Sequence, residues 1–370
     1  MVDLGGLCRH LAQHPRERFG LLSQQALDTD ARLHAAFGER LAALFSAEHG
    51  WFGLAAPGEK TAGEMHPFWH VPVHSLYGET RKPTPAMLEG LDRMVIDLQD
   101  LGVRCYTYLA TTKLMLEAAA EAGLAVTVLD RPVPLGGIVD GPRREEGYSS
   151  FVAPLDVPLC HGMTTGEYAT YIVRQESLSL DLTIIPMVGW SHQSREPWAN
   201  FLPPSPGIRT WDSAVLYPVS VFTEAYAAVD CDRAGPLSFR VLGAPWLDVA
   251  HVMRELADLP ESCGIGLRPY RYRASSGKYA SQILDGLILS VEHAEAFRPV
   301  VAGTRLFACI RKRHPEEIAE GGRPGWFDKL WGSAATREAI AQESLDDLFR
   351  SWRSAQGEYV TRKVDLYVCR

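Results

Sequence analysis

Two apolar runs, "MVIDL" (94–98) and "LAVTVLD" (124–130), enclose the stretch "YTYLATTKLMLEAAAEAG" (106–123), rich in Leu, Ala, Met and Glu and closed by Gly123. Short runs without polar alternation are strands buried on both faces, and the composition between them is that of a helix with glycine at its C-cap. Strand, helix, strand with fully apolar strands is the pattern of a parallel α/β sheet covered by helices on both sides. "RFGLLS" (18–23) and "LTIIPM" (182–187) read as further buried strands, and "TTGEYATYIVRQES" (164–177) as a helix opened by Thr164 or Thr165 with a glutamate following.

The pattern changes along the chain. "GWSHQSREPWANFLPPSPGIRTWDS" (189–213) is Pro- and Trp-rich and is expected to be irregular, the kind of long segment that carries function. "GIGLRPYRYRAS" (264–275) and "SQILDGLILSVE" (281–292) alternate polar and apolar residues as half-exposed antiparallel strands do, and helical patterns follow at 294–313 and 343–356. At 370 residues the chain exceeds the roughly 250–300 residues that one core comfortably serves. The expected organisation is a parallel-sheet α/β domain over 1–240 and a smaller α+β domain over 241–370.

The composition narrows the partners. Hydrophobic content of 46% and charged content of 22% are those of a globular chain, and a net charge of −8 without a long basic run argues against nucleic acid. No apolar stretch is long enough for a transmembrane helix, and "MVDLGGLCRHLAQHPRERFG" lacks the features of an export signal, so the chain reads as cytoplasmic with no membrane insertion. The seven cysteines, Cys8, Cys105, Cys160, Cys231, Cys263, Cys309 and Cys369, form no CxxC pair and read as reduced core thiols, not as a disulfide frame or zinc site.

No GxGxxG follows a strand and no phosphate-binding GxxxxGK[ST] occurs, so a ligand site is sought in the loops at the carboxyl ends of the strands. His66, His70 and His74 have helical metal-site spacing, but Pro67 and Pro72 break the helix that reading needs, and loop histidines are the better account. "SSGK" (275–278) has the Ser-x-x-Lys spacing of some acyl-transfer enzymes but falls in a turn between strands. "LFSAEHGWFGLAAPGEK" (44–60) presents Glu48, His49 and Glu59 in a loop, either lining a site or as solvated charges. In "CHGMTTGE" (160–167), His161 lies in a turn and Glu167 opens a helix, where it is either a site residue or a favourable charge at the N-terminus.

Taken in order, "AEHG" (47–50), "GEK" (58–60), "HSLYGETRKPT" (74–84), "DLQDLGVRCYTY" (97–108), "LDRPVPLGG" (129–137), "CHGMTTGE" (160–167), "PPSPGI" (203–208), "LGAP" (242–245) and "FDKLWGS" (327–333) resemble the NamZ-type exo-β-N-acetylmuramidases, a family long described as a domain of unknown function. The resemblance runs from about residue 18 to the C-terminus. It implies a Rossmann-like parallel-sheet domain, a second, smaller α+β domain and a cleft between them. It also implies release of a non-reducing terminal N-acetylmuramic acid from a muropeptide or disaccharide, with no metal or organic cofactor.

Glycoside hydrolysis uses a proton donor at the leaving oxygen and a second group at the anomeric centre. Glu59 matches the family's loop glutamate and is the expected acid, with Glu48 the second carboxylate. His49, Tyr77, Asp100, Arg104, Tyr106, His161 and Glu167 are expected to bind the sugar or orient the acid, Arg104 by pairing with the lactyl carboxylate. The sequence also departs from the family. A Glu-Gly-Thr-Asn and Gly-Arg-Gly-Thr pair of segments is replaced by "TEAYAAVDCDRAGP" (223–236), which keeps Glu224, a further candidate sugar ligand, and Arg233. Gly207 stands where asparagine is expected, and Tyr279 and Asp285 where histidines are. These departures bear on substrate identity more than on fold.

Overall fold

The computed structural model describes residues 2–24, 27–194, 197–198 and 201–363, the last three of these by backbone alone. Cys369 and four residues of the Pro- and Trp-rich segment, 195–196 and 199–200, lie outside the described residues. The buried runs form strands β1 (Phe19–Ser23), β2 (Leu41–Ser46), β5 (Arg93–Ile96) and β6 (Ala125–Leu129), and between them come the exposed edge strand β3 (Glu64–Met65) and the half-buried β4 (Pro72–Ser75). A ribbon of β7 (Asp140–Arg143) and β8 (Pro158–Cys160) follows, and β9 (Leu182–Ile185) completes a seven-stranded sheet ordered β3-β4-β2-β1-β5-β6-β9. Every pairing in this sheet is parallel except β3 with β4, and Leu22 of β1 sits in register with Phe45 on one side and Ile96 on the other.

Successive residues of a strand face opposite sides of the sheet. Phe19, Leu21 and Leu44 accordingly join a core cluster with Leu7 and Leu33, from helices Leu4–Ala12 and Thr29–Phe37. Leu22, Phe45 and Ile96 point the other way, into a cluster that takes in helix Tyr108–Ala122. That helix ends at Gly123 in the left-handed conformation (φ 69°), as its composition predicts. Helix Thr165–Gln175 opens with a reciprocal capping box between Thr164 and Glu167.

The last third forms an antiparallel sheet from β10 (Val241–Gly243), β11 (Ile265–Arg273) and β12 (Ile283–Val291), with β12 in the middle, followed by helices including Pro299–Arg313, Pro324–Trp331 and Leu345–Lys363. The predicted hairpin strands are thus present. The larger core cluster continues without a seam from Leu22 to Tyr359, so the chain changes topology near residue 240 while the two parts share one apolar interior.

From β1 the chain steps through β2 to β4 on one side, then returns to β5 and proceeds through β6 to β9 on the other. Loops leaving β1 and β5 therefore diverge at the carboxyl end of the sheet, where open α/β sheets bind ligands. Here the floor of that crevice is filled by protein. Asp97 accepts from Arg131 and Thr29, and Gln99 donates to the Pro132 carbonyl at 2.7 Å. The open space lies beside this floor, above the loops that follow β2 and β4.

Candidate active site

Strand β2 ends at Ser46, and the next residues turn sharply. His49 and Gly50 both have positive φ (77° and 74°), and the Gly50 N–H closes the turn on the Ala47 carbonyl at 3.2 Å. Left-handed backbone is costly for a non-glycine residue, and strain of this kind gathers at functional sites. The turn lifts Glu48 over the sheet edge. Its Oε1 accepts from the Gly58 N–H at 2.8 Å and its Oε2 from the Thr107 hydroxyl at 2.7 Å, and the Tyr77 hydroxyl donates to the same carboxylate. His49 Nδ1 lies 2.9 Å from the Ala55 carbonyl. A carbonyl only accepts, so Nδ1 carries the proton.

Glu48 and His49 line a cavity of about 470 Å³ whose opposite wall comes from the second half of the chain. Helix Trp211–Ser220 contributes Tyr217, and the short turn after it brings Glu224. Tyr217 donates to Glu224 Oε1 at 3.4 Å and Arg233 Nη2 pairs with it at 3.2 Å. The two residues retained from the divergent 223–236 segment are thus in contact inside the cavity. Burial raises the Glu224 carboxyl above its ordinary value and the Glu48 charge adds to the rise, while Arg233 opposes it. Burial likewise lifts the Tyr77 hydroxyl and the Cys105 thiol to about 12, and Tyr106 and Tyr217 well above their usual range. The tyrosines are therefore proton-bearing donors, and Cys105 is a thiol.

Cations crowd the same cavity. Arg81, Arg323 and Lys329 stand exposed around it and Arg233 lies within, against the carboxylates of Glu48 and Glu224. Arg81 lies with its guanidinium carbon 4.0 Å from the Phe151 ring centroid. Flat stacking on a ring leaves the N–H edge of an arginine for an anion.

Five residues expected from the sequence meet here: Glu48, His49, Tyr77, Tyr106 and Glu224. The other five do not line this cavity. Glu59 is exposed on the far part of the loop, and its carboxylate accepts from the Ala56 N–H at 2.7 Å. Asp100 is enclosed and caps its own turn through the Leu101 and Gly102 N–H groups, and burial raises it to about 6. Arg104, expected to meet a substrate carboxylate, is fully buried and donates to the carbonyls of Pro142, Val157, Leu330 and Trp331, so no substrate reaches it. His161 is buried, with Nδ1 accepting from the Met163 N–H. Glu167 completes the capping box and bonds His192 Nε2 at 2.6 Å, which makes it a helix-opening residue.

Tyr279 and Asp285 also lie elsewhere, Tyr279 bonded to the Ala228 carbonyl and Asp285 paired with Arg271 at the surface. His66 is stacked on Trp69 at 4.0 Å and His74 lies in β4. Among the described residues no group of three or more His, Cys, Asp or Glu side chains is placed to hold a metal ion. Residues missed by sequence reasoning include Arg81, Phe151, Tyr217 and Lys329. Arg81 and Lys329 stand inside segments quoted for the resemblance, "HSLYGETRKPT" and "FDKLWGS", where their charge was a usable signal; Phe151 had none.

A cavity beside the carboxyl end of a parallel sheet, lined by two carboxylates and several tyrosine hydroxyls, holds the kinds of group that glycoside hydrolysis uses. The family model for the N-terminal part of exo-beta-N-acetylmuramidase NamZ matches residues 20–212, and that for its C-terminal part matches 215–367. The chain belongs to this family of glycosidases. The peptidoglycan beta-N-acetylmuramidase NamZ of Bacillus subtilis (strain 168) is 34% identical over 332 residues, covering 88% of this chain and 79% of that one. A crystal structure of a DUF1343 family protein from Bacteroides fragilis NCTC 9343 superposes with a TM-score of 0.85 at 27% identity, covering 99% of this chain and 98% of the other. A second DUF1343 structure from the same strain, at 24% identity, shares the fold with a TM-score of 0.78 over 100% and 99% of the two chains. Among the described residues no helix is long and apolar enough to cross a membrane.

Proposed function

We propose that the protein hydrolyses the β-glycosidic bond of a non-reducing terminal N-acetylmuramic acid in a peptidoglycan fragment, with Glu224 as proton donor and Glu48 as the carboxylate facing the anomeric carbon. The observation that carries this reading is the pairing of the two glutamates in one cavity that also holds a surplus of cations. Glu224 is the better acid because its carboxyl is held above its ordinary value and is positioned by Tyr217 and Arg233, whereas Glu59 is bonded to its own loop outside the cavity. As the bond from C1 to the leaving oxygen breaks, Glu224 gives that oxygen its proton. Positive charge grows on the ring beside Glu48, whose orientation is fixed by Gly58, Thr107 and Tyr77. Water then supplies the hydroxyl to C1 and its remaining proton to the carboxylates, which returns Glu224 to its acid form.

Muramic acid differs from glucosamine by a lactyl carboxylate, and Arg81 and Lys329 are the groups that meet it, in the role the sequence had suggested for Arg104. The deep wall of buried Tyr106, Tyr217 and Phe239 gives the cavity an end, which suits a terminal sugar. The Bacillus subtilis relative, a peptidoglycan beta-N-acetylmuramidase, supports the substrate class.

The test uses a chromogenic β-muramide and the equivalent glucosaminide. The expected result is release from the muramide, with Glu48→Gln and Glu224→Gln each slower by about 10²-fold or more and Glu59→Gln within about threefold. Equal turnover of both glycosides, or of neither, overturns the substrate assignment. A Glu224→Gln variant that keeps its activity while Glu59→Gln loses it returns the acid role to Glu59.

A further inference from the structure

Helix Trp211–Ser220 turns Tyr217 toward the candidate active site and Trp211 and Val215 toward a second cavity of about 250 Å³, and the two cavities share no residue. We propose that this second cavity is a binding site for a small organic monocarboxylate with a compact apolar body. Such a site stands whether or not the first cavity cleaves a muramide.

The walls are mostly apolar. Trp211 and Val215 come from the helix, Ile288 from β12, Phe297 from the turn that follows it, and Ile138 from the loop after β6. Val291, at the end of β12, is exposed, so the cavity opens to solvent there. A concave apolar space with a few polar groups at its border is the usual form of a small-molecule site. Because an apolar cavity of about 150 Å³ holds benzene, this one takes a body of roughly ten heavy atoms.

Two arginines set the charge of the ligand. Arg268 sits opposite Ile288 in the register of β11 with β12, is exposed, and has no acceptor among the described residues. Arg240 pairs through Nη2 with Asp212 at 3.2 Å, while its Nε is buried with no hydrogen-bond partner among the described residues. A buried N–H without an acceptor is costly, and at the border of a cavity a ligand oxygen can satisfy it. The Leu289 N–H donates to the Arg240 carbonyl at 2.8 Å, so β12 holds this arginine's backbone in place before any ligand arrives. Two cations against the single carboxylate of Asp212 leave one positive charge over, which matches a monoanion. A phosphate would bring further charge against walls with few polar groups to solvate it, and a neutral ligand would leave Arg268 unmatched.

The experiment titrates 3-phenylpropanoate, 3-phenylpropanamide and acetate into the full chain by isothermal calorimetry. The acid is expected to bind saturably, and the amide, which lacks the charge, and acetate, which lacks the apolar body, to bind at least about tenfold more weakly. Arg268→Gln, at an exposed position, should weaken binding of the acid by about tenfold at an unchanged melting temperature. Lys329→Met, which removes a cation from the first cavity, should leave that affinity within about twofold. An amide that binds as tightly as the acid, an Arg268→Gln variant that binds as the parent does, or binding lost in Lys329→Met overturns the site. So does an unmodified protein that takes up no acid at concentrations up to about 10 mM.

Discussion

Replacing Arg233 with methionine tests the acid assignment through its pH dependence. Arg233 Nη2 lies 3.2 Å from Glu224 Oε1. At an effective dielectric constant of about 20, two unit charges at that separation would interact by about 5 kcal/mol. The Arg233 side chain is 40% exposed, and solvent screening reduces this to about 1–2 kcal/mol, or about one pKa unit. The sign follows from the cause: Arg233 favours ionised Glu224, so its loss raises the Glu224 carboxyl further. An acid catalyst works in its protonated form, and activity falls as the pH rises through its pKa. In Arg233→Met the alkaline limb of kcat/KM on a chromogenic muramide should therefore move upward by about one unit, whatever the loss in absolute rate. Rates collected between about pH 5 and 9 for both proteins give the comparison directly. An alkaline limb that stays in place, or moves to lower pH, removes Glu224 from the proton-donating role.

Arg81→Met and Lys329→Met should raise KM for the muramide by about tenfold each and leave the much weaker handling of the glucosaminide unchanged, so the ratio of the two kcat/KM values reports the loss. Asp100→Asn should alter the pH dependence of stability without entering the chemistry. Burial raises Asp100 from its usual 3.8 to about 6, so its favourable contribution is fully present below about pH 4 and is lost as the pH rises through 6. Asparagine does not titrate, and urea unfolding at about pH 4 and pH 7.5 should show the variant gaining on the parent by about 3 kcal/mol at the higher pH.

The elements legible in the sequence were those that local pattern determines. β1, β5 and β6 are runs buried on both faces, β9 reads the same way in sequence but forms the half-buried edge of the sheet, and helix Thr165–Gln175 carries its capping box in adjacent residues. Helix Trp211–Ser220 starts within the segment expected to be irregular, because Trp211 to Ser213 continue its Pro- and Trp-rich composition, and β4 was hidden by Pro72 and the histidine spacing around it. In the site, position in a strand-end loop was legible, but the direction of a side chain was not. Glu48 and Glu59 belong to one loop and look equivalent in sequence, yet only Glu48 is turned into the cavity, by a left-handed turn at His49 that no residue-type preference signals. Arg81 and Lys329 lie far apart along the chain, and tertiary packing alone brings them to one rim.

The stretch from Asp97 to Tyr108 shows what its polar residues do instead. Asp97 and Gln99 bind loops to the sheet, Asp100 closes a turn, and of the stretch Cys105, Tyr106 and Thr107 line the first cavity. Arg104 reaches furthest. Burial draws its guanidinium down to about 10, which leaves it cationic at neutral pH, and it donates to Leu330 and Trp331 at the C-terminal end of helix Pro324–Trp331, where a cation also complements the helix dipole. That helix presents Trp326 and Lys329 to the cavity, so Arg104 positions cavity-lining residues, among them the proposed partner of the lactyl carboxylate, while lying outside the cavity itself. Arg104→Leu would leave four buried carbonyls without this donor, and at about 1–3 kcal/mol for each unsatisfied group, even with relaxation, a loss of at least about 3 kcal/mol is expected in urea unfolding. A variant of unchanged stability whose muramide KM alone rises would instead place Arg104 in direct contact with substrate and refute the positioning role.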